Sequence, residues 1–272
     1  MGHYDDIREE WEEEQKRKKM DSFIKSNYLF ALINDNKFKA FKKEFIEQAI
    51  SIDYKYEKNS WLSIAGKLNA TPEFHQFLIK AGCKIKTENL IWSLGLKIPT
   101  DLSLVYLKNF DIKKLNKNTK KDHLILKYII DKFIENDYQD SRLLDWFFAN
   151  IDLSLRNSFL ESLFSISLGC IGSNNGLSHK AYFSEEDLKS INQFLPHLIK
   201  YNLNPLLKNR FQQNSLEIFK DYYKDWKDEN QNYNKEKIKV LSLIIKQLEN
   251  YHTAYQIDQK VAIASNKPVN KL

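Results

Sequence analysis

The feature that most constrains the fold is a segment, residues 59–82, whose pattern recurs along the chain. Its sequence, NSWLSIAGKLNATPEFHQFLIKAG, predicts a short helix, a break and a second apolar helix that ends on a glycine. A glycine there is typical of a helix that stops with a left-handed residue. Because a helix pair of about 33 residues cannot bury its apolar face alone, copies of this unit are expected to stack on one another.

Both helices of the unit recur. Matches to the start, NSWLSIA, lie at 26–32, 88–94, 157–163 and 214–219, with a weaker one at 121–127. Matches to the end, FHQFLIKAG at 74–82, lie at 194–202, 45–53 and 143–152, where the run stops at Gly82, Asn202, Asp53 and Asp152. Apolar residues in these second helices recur at helical spacing, so each is predicted to bury one stripe. The pattern therefore predicts inter-repeat core at Trp61, Leu62, Phe74 and Leu78, and it leaves His75 as an exposed bystander.

Composition favours an all-α class. The chain has 272 residues with 42% hydrophobic content but only 7 glycines and 5 prolines, too few for a turn-rich β-sandwich. The chain has no run of 18 apolar residues, and its first 25 residues are charged throughout, which predicts neither a membrane span nor a secretory signal. We therefore expect a cytoplasmic protein with no membrane partner.

The two ends of the chain have their own patterns. Residues 1–25 are acidic and then basic, with oppositely charged residues four positions apart, which predicts a charged N-terminal helix. Residues 235–258 carry one apolar stripe, typical of a terminal helix that caps a stack. The remaining segment, 259–272, ends in ASNKPVNKL, has no apolar periodicity and is expected to be a flexible tail.

The repeated unit resembles the ankyrin repeats. NSWLSIA occupies the place of the family's Thr-Pro-Leu-His start, and FLIKAG occupies the place of its Leu-Leu-x-x-Gly end. The junction at 198–219 keeps the length of the family's connecting finger, with Asn202 at the glycine position and Asn204-Pro205 at the Asp-Pro position. No unit keeps Thr-Pro-Leu-His, so the resemblance is to a degenerate member. It implies an ankyrin-like helical repeat solenoid over residues 26–258.

One interval exceeds the period and predicts an insertion at about 167–188. It holds three of the seven glycines, and Ser184 followed by acidic residues predicts that a helix restarts there. Cys170 and His179 in this segment raise the hypothesis of a Cys-His nucleophile pair, but no third orienting group is evident. We interpret Cys170 as a buried residue at a turn and predict no catalytic residues.

Metal and cofactor sites are not predicted. The chain has 2 cysteines and 6 histidines, and the histidines are scattered without the paired spacing of a zinc site. The glycines do not form a phosphate-binding loop. The sequence therefore predicts a non-enzymatic protein without a cofactor.

The most basic stretch, residues 108–132, has eight lysines against three aspartates, a net charge of +5. Lys113, Lys114 and Lys117 lie at its centre and are candidates for partner binding. A nucleic acid would be held by such lysines through its phosphates, but no recognition module is present. The preferred interpretation is a solvated finger that joins two units, and an acidic protein partner is the next one.

The second set of candidate contacts is Asn209, Arg210 and Phe211, which the ankyrin resemblance places at an exposed finger tip. Aromatic residues and arginine are enriched among the residues that anchor protein interfaces. The combined prediction is a protein-interaction module. Analogy at the level of fold extends it to an immunity or inhibitor protein that sterically occludes a toxin or effector. The alternative is a nucleic-acid-binding or regulatory scaffold that uses residues 108–132.

Overall fold

The computed structural model describes residues 27–53, 55, 59–111, 120–154, 161–172, 177, 183–229 and 235–264. Over these ranges the chain forms helices and no β-strand, which confirms the predicted all-α class. Within the same ranges, no helix combines the length and the apolar character needed to cross a lipid bilayer. The predicted charged helix at 1–25 lies outside the described residues.

The chain divides into two compact units where the sequence predicted one repeat domain. Unit 1 comprises the residues up to Ser93 together with Pro99–Phe110, and unit 2 comprises Leu94–Ile98 and the residues from Asp111 onward. The helices of unit 1 are α1, whose described part covers residues 27–34, α2 (Phe38–Glu47), α3 (Trp61–Lys67), α4 (Pro72–Lys80), α5 (Thr87–Ser93) and α6 (Thr100–Asn109).

Unit 1 is built from helix pairs. Helix α3 packs on its successor α4, and α5 packs on α6. Across pairs, α3 contacts α5, while α4 contacts both α2 and α6. Rings fill the space between them: Phe41 lies 5.2 Å from Phe74, and Phe45 lies 5.4 Å from Trp61. Trp61, Leu62, Phe74 and Leu78 are all fully or almost fully buried, which confirms them as core.

Most helix ends in unit 1 use a left-handed residue. After α3, the Asn69 N–H bonds the Gly66 carbonyl at 3.1 Å and the Ala70 N–H bonds the Ala65 carbonyl at 2.9 Å, while Asn69 has φ 50°. Such paired bonds satisfy carbonyls that the helix leaves open. Gly82, with φ 104°, ends α4 in the same way, as predicted. The predicted stop at Asp53 is wrong, because α2 already ends at Glu47 with Ala49 at φ 47°.

A serine pair opens one helix in each unit. The Ser60 hydroxyl accepts the Ser63 N–H at the start of α3, and the Ser162 hydroxyl accepts the Ser165 N–H at the start of the helix Leu163–Ile171. In both cases this side chain satisfies an N–H that has no partner inside the helix. The helix matching α3 therefore begins at Leu163, the last residue of the predicted copy at 157–163, four residues later than the alignment with Trp61 implies. Serines at 158 and 162 both precede apolar residues, and only Ser162 has the second serine three positions on.

Unit 2 contains six helices within the described ranges. They are α7 (Lys120–Glu135), α8 (Arg142–Asn150), α9 (Leu163–Ile171), α10 (Glu185–Ile199), α11 (Ser215–Glu229) and α12 (Lys235–Ala264). Helix α7 packs on α8 and α9, α10 packs on α9 and α12, and α11 packs on α12. A hydroxyl pair, Ser165 Oγ to Ser215 Oγ at 2.6 Å, links the start of α9 to the start of α11.

A buried lysine holds the segment Leu94–Ile98 within unit 2. Lys132 is 3% exposed, and its ammonium donates to the carbonyl of Gly95 at 2.9 Å and to the carbonyl of Ile98. Burial lowers the pKa of Lys132, an effect that the Asp140 carboxylate opposes. The two carbonyls therefore compensate a charge that has left water.

Several predicted boundaries shift in unit 2. Residues 167–171 of the predicted insertion are the buried last part of α9, whereas the predicted restart at Ser184 is confirmed by a reciprocal capping box with Asp187. Helix α8 ends at Asn150 and passes to an extended Ile151, so no left-handed stop forms at Asp152. The predicted terminal helix is confirmed but runs to Ala264, so residues 259–264 are helical and not part of a tail.

Candidate interaction site

The connection between α10 and α11 in unit 2 is described throughout, and we call its residues 203–213 the finger. It follows a left-handed residue, Asn202, with φ 51°, whose N–H bonds the Ile199 carbonyl at 3.0 Å. Asn tolerates this conformation because its short polar side chain can bond locally. The predicted stop at Asn202 is confirmed, and the chain turns away from α10 here.

The tip of the finger is a three-residue hairpin turn. The Asn209 N–H donates to the Gln213 carbonyl at 2.8 Å, and the Gln212 N–H donates back to the Asn209 carbonyl at 3.0 Å. Gln212 is left-handed, with φ 62°. This arrangement is the common three-residue hairpin, in which the third residue is left-handed. Arg210 and Phe211 occupy the first two positions of the turn, and both are exposed.

Asn209 holds this turn from inside. Its side-chain Oδ1 accepts the N–H of Phe211 at 2.9 Å and the N–H of Gln213 at 3.0 Å, and the residue is only 3% exposed. An Asn side chain that bonds the backbone two residues on is a recurrent way to fix a turn. The prediction groups Asn209 with partner-contacting residues, but its burial assigns it to the support of the tip.

Arg210 and Phe211 are on the surface, as predicted for a finger tip. Phe211 is 53% exposed, and the guanidinium carbon of Arg210 lies 4.8 Å from the centroid of its ring. A cation over a ring at an exposed site contributes about 0.5–1 kcal/mol, which favours one arrangement of the two side chains. The tip thus presents an apolar ring and a cation as one feature.

The base of the finger is fixed to two helices. The Tyr251 hydroxyl on α12 donates to the Leu203 carbonyl at 2.6 Å, and burial raises the pKa of this hydroxyl. At the other end, Asn214 and Glu217 exchange side-chain and backbone bonds of 2.7 and 3.0 Å at the start of α11. Both ends of the finger are therefore held by hydrogen bonds, one to α12 and one at the start of α11.

The finger is positively charged. It contains Lys208 and Arg210 and no acidic residue between 203 and 216. Lys208 lies 3.4 Å from the Glu217 carboxylate, an exposed ion pair of the kind that contributes little. The finger therefore carries two cationic side chains, one of them paired with Glu217, and one exposed aromatic ring.

The basic segment at 108–132 does not form a continuous cationic surface where it is described. Lys127 is paired with Asp131 at 2.9 Å, and Lys132 is buried against carbonyls. The candidates Lys113, Lys114 and Lys117 lie outside the described residues. The structure thus assigns two of the eight lysines to intramolecular bonds.

The thiol considered as a nucleophile is a core residue. Cys170 is 1% exposed inside α9, and burial raises the pKa of its thiol to about 12. A thiol with this pKa carries almost no thiolate at neutral pH, and the thiolate is the nucleophile. His179 lies outside the described residues. Among the residues that the structure describes, no group of three or more His, Cys, Asp or Glu could hold a metal ion.

His75 is the residue that sequence reasoning misjudged. It is fully buried, its Nδ1 lies 2.7 Å from the Tyr106 hydroxyl, and its ring stacks on Trp92 at 4.9 Å. Burial lowers its pKa to about 4, with the Ala70 backbone acting in the opposite direction. The aligned repeat contained the signal, because His75 stands opposite Leu195, an apolar residue on a buried stripe.

No protein family, curated protein or solved structure matches this chain.

Proposed function

We propose that this protein is a protein-interaction module and that the finger is its binding surface. The observation that carries the proposal is Phe211, a large apolar side chain left about half exposed at the tip of a turn that the Asn209 side chain fixes through the N–H groups of Phe211 and Gln213. An ordered loop can bind without first losing conformational freedom, which lowers the cost of association. Aromatic residues and arginine are both enriched at protein interfaces.

The proposal includes an ankyrin-like helical repeat architecture. Three observations support it: helix pairs in which first helices contact first helices, the matched serine caps of α3 and α9, and left-handed residues after α4 and α10. Stacked helix pairs with connecting fingers give an extended surface in which each finger can reach a partner. Small, irregular repeats of this kind suit one dedicated partner.

The narrower form of the proposal is a cytoplasmic immunity or inhibitor protein. In that role the finger and the helices beside it cover the active site or entry surface of a toxin or effector, and inhibition is steric. Steric inhibition needs no chemistry on this chain, which is consistent with a buried, protonated Cys170. The nucleic-acid alternative has weaker support, because Lys127 and Lys132 are engaged within the protein.

Affinity capture from the native host tests the proposal. The wild-type chain should retain one protein in roughly equal amount, identified by mass spectrometry, and a variant with Arg210→Ala and Phe211→Ala should lose it. Tyr28→Ala is the matched control, because Tyr28 is an aromatic residue of similar exposure, 50%, in unit 1. Loss of the partner with the control variant, or retention with the finger variant, would contradict the assignment of the surface.

A further inference from the structure

We propose that one exposed face of α2 is a second interaction surface of this protein and that it binds an acidic segment of another protein. We call it the α2 face, and its residues are Lys39, Lys42, Lys43 and Ile46. The α2 face lies in unit 1 and contains no residue of the finger, so the inference goes beyond the proposed function.

The helical period places these four side chains together. The three lysines precede Ile46 by seven, four and three positions, which are the spacings of residues that share one helix face. The other side of α2 is turned into the core, where Phe41 is 0% and Phe45 is 6% exposed. The lysines are exposed, and Ile46 is 60% exposed. The α2 face is therefore turned towards solvent.

The lysines of the α2 face carry charge that the protein does not neutralise. Residues 36–43, NKFKAFKK, contain four lysines and no acidic residue. Lys37 is paired with Asp35 at 3.3 Å, whereas the three lysines of the α2 face form no ion pair with any residue that the structure describes. Glu44 accepts a hydrogen bond from the Gln48 side chain at 2.6 Å, and Glu47 lies about 100° around the helix from Ile46. Three positive charges are therefore available to a partner.

Ile46 supplies an apolar centre for these charges. Protein interfaces commonly have an apolar core and a polar rim, and Ile46 with the lysines around it has this arrangement. A segment in which acidic residues flank an apolar one matches it, because the apolar side chain contacts Ile46 while the carboxylates meet the ammonium groups. An acidic segment is also steered towards the α2 face, and a basic one is repelled.

A cleft opens beside the start of α2 and continues the surface. Its volume is about 610 Å³, within the range of about 300–1,000 Å³ that ligand pockets have, and its walls are residues 36–40, Thr71 and Glu73. Lys39 belongs to both the cleft and the α2 face, so the two adjoin. Phe38 is half-buried in the wall. Because Glu73 also lies there, the cleft suits an uncharged side chain of the bound segment.

The same observations disfavour a nucleic acid. Its affinity depends on neutralising many phosphates, and three lysines are few for that purpose. Single-stranded bases stack on exposed aromatic rings, but the Phe38 ring is packed edge-on against Phe74 at 5.2 Å and Phe77 at 6.1 Å. Glu73 would repel a phosphate at the cleft. The α2 face therefore favours an acidic protein segment.

A random-peptide phage library is the probe. It is depleted on a variant with Lys39→Gln, Lys42→Gln and Lys43→Gln, then panned on the immobilised full-length protein, and the enriched sequences are read. Glutamine is as good a helix former as lysine, so the variant should melt at the wild-type temperature, which circular dichroism checks. The expected result is enrichment of peptides in which aspartate or glutamate flanks an apolar residue.

The affinity of one synthetic peptide from this set is then measured by fluorescence anisotropy. The triple glutamine variant should bind it about tenfold or more weakly, and Ile46→Ala should bind it about threefold or more weakly. Raising the salt from about 50 to about 300 mM should also weaken the wild-type affinity. Unchanged affinity in the triple glutamine variant would overturn the inference.

Two matched controls separate the α2 face from general effects. A variant with Lys224→Gln, Lys246→Gln and Lys260→Gln makes the same change of charge at exposed lysines in unit 2. Ile257→Ala truncates an apolar side chain of similar exposure, 55%, on α12. Both variants should bind the peptide as the wild type does. Equal loss with the control lysines would mean that net charge governs binding, and it would overturn the inference.

The finger variant, Arg210→Ala with Phe211→Ala, distinguishes the inference from the proposed function. It should bind the peptide as the wild type does, because the finger belongs to unit 2. Loss of peptide binding by this variant would assign the peptide to the finger and overturn the α2 face. Failure of the finger variant to change capture of the partner protein would contradict the proposed function and leave the α2 face intact.

The remaining outcomes all count against the inference. Enriched peptides that are basic or neutral would overturn the acidic partner, and so would the absence of enrichment. Tighter binding of a fluorescein-labelled oligothymidylate than of any peptide, if it is lost in the triple glutamine variant, would identify the α2 face as a nucleic-acid surface instead.

Discussion

Helix α4 and the last part of α10 bury the same positions of the aligned stretches 74–82 and 194–202. They differ in one buried residue and in the segment after each helix. Phe74 and Leu78 on α4 correspond to Phe194 and Leu198 on α10, and all four are 0% exposed. Between the members of each pair, α4 buries His75 where α10 buries Leu195. The same helical frame therefore accepts either a hydrogen-bonded imidazole or a purely apolar core.

The second difference lies beyond the left-handed residue that ends each helix. After Gly82 the chain returns to a helix within four residues, and both Cys83 and Ile85 are buried. After Asn202 the chain runs through the whole finger before α11 begins at Ser215. The two helix ends are alike, but the segments after them differ in length, and the longer one contains the exposed residues Arg210 and Phe211.

The largest expected effect tests the match itself. Phe74→Ala and Phe194→Ala should each lower the free energy of unfolding of their own unit by about 3–5 kcal/mol, because each removes a fully buried ring and leaves a cavity. Hydrogen exchange of the α4 and α10 amides measures the two losses separately. Phe211→Ala is the exposed control and should cost less than about 0.5 kcal/mol. Losses that differ strongly between the two rings would break the comparison.

The second effect depends on pH. It is expected at His75 and not at Leu195, which occupies the matching position and does not titrate. Its pKa falls from the ordinary 6.5 to about 4 in the folded state, so folding favours the neutral ring. Stability from this group is therefore complete above about pH 6.5 and is lost as the pH falls towards 4, by roughly 3 kcal/mol in all.

Urea unfolding of the wild type at about pH 7 and about pH 4.5, monitored through the α4 amides, measures this loss. Burial also lowers the pKa of His252. The test therefore compares the change in the free energy of unfolding between the two pH values in the wild type with the same change in a variant with His75→Leu and Tyr106→Phe. That variant replaces both hydrogen-bonding partners, so no buried polar group is left unpaired between them. An equal pH response in the two proteins would mean that His75 does not titrate as its burial implies.

The third effect concerns the left-handed ends. Gly82→Ala should cost about 1–2 kcal/mol, because φ of 104° is strained for any residue with a Cβ. The added Cβ would have no atom within 4 Å, so crowding does not contribute. Asn202→Gly, the reciprocal change, should alter the free energy of unfolding by less than about 0.5 kcal/mol. A large cost for Asn202→Gly would show that its side chain, not its backbone, matters.

The smallest effect is at the finger tip. Gln212→Gly should raise stability by a few tenths of a kcal/mol at most, because glycine relieves the left-handed strain but adds freedom to the unfolded chain. Thermal unfolding by calorimetry measures it, with Gln212→Val as the opposite, destabilising change. Unchanged capture of the partner protein by Gln212→Gly is expected, since Asn209 still fixes the turn.

Periodicity predicted the parts of the fold that local sequence determines. The apolar stripe predicted that Phe74 and Leu78 belong to the core. Glycine or asparagine after the stripe predicted where α4 and α10 end. The exposed tip at Arg210 and Phe211 followed from the ankyrin resemblance. In each case the relevant residues lie within one turn or one short loop of each other.

The errors share a different cause, which is dependence on distant or competing partners. The partner of His75 is Tyr106, 31 residues away, so the hydrogen bond that allows a histidine at this buried position has no local signature. Lys132 is satisfied by carbonyls more than 30 residues earlier. Ala49 adopts a left-handed conformation that its side chain does not favour, so its residue type gives no sign that α2 ends there. Asn209 has the polarity of a surface residue, and only its bonds to the turn explain its burial.

The two cysteines have a practical consequence. Cys83 and Cys170 are both buried, and burial raises the pKa of each thiol to about 12, with the Asp53 carboxylate adding to the effect at Cys83. Thiol-directed reagents act on accessible thiolates, so neither native residue should react while the protein is folded. A cysteine introduced at Gln212 would then carry a fluorophore or a crosslinker at the finger tip in an otherwise unaltered chain.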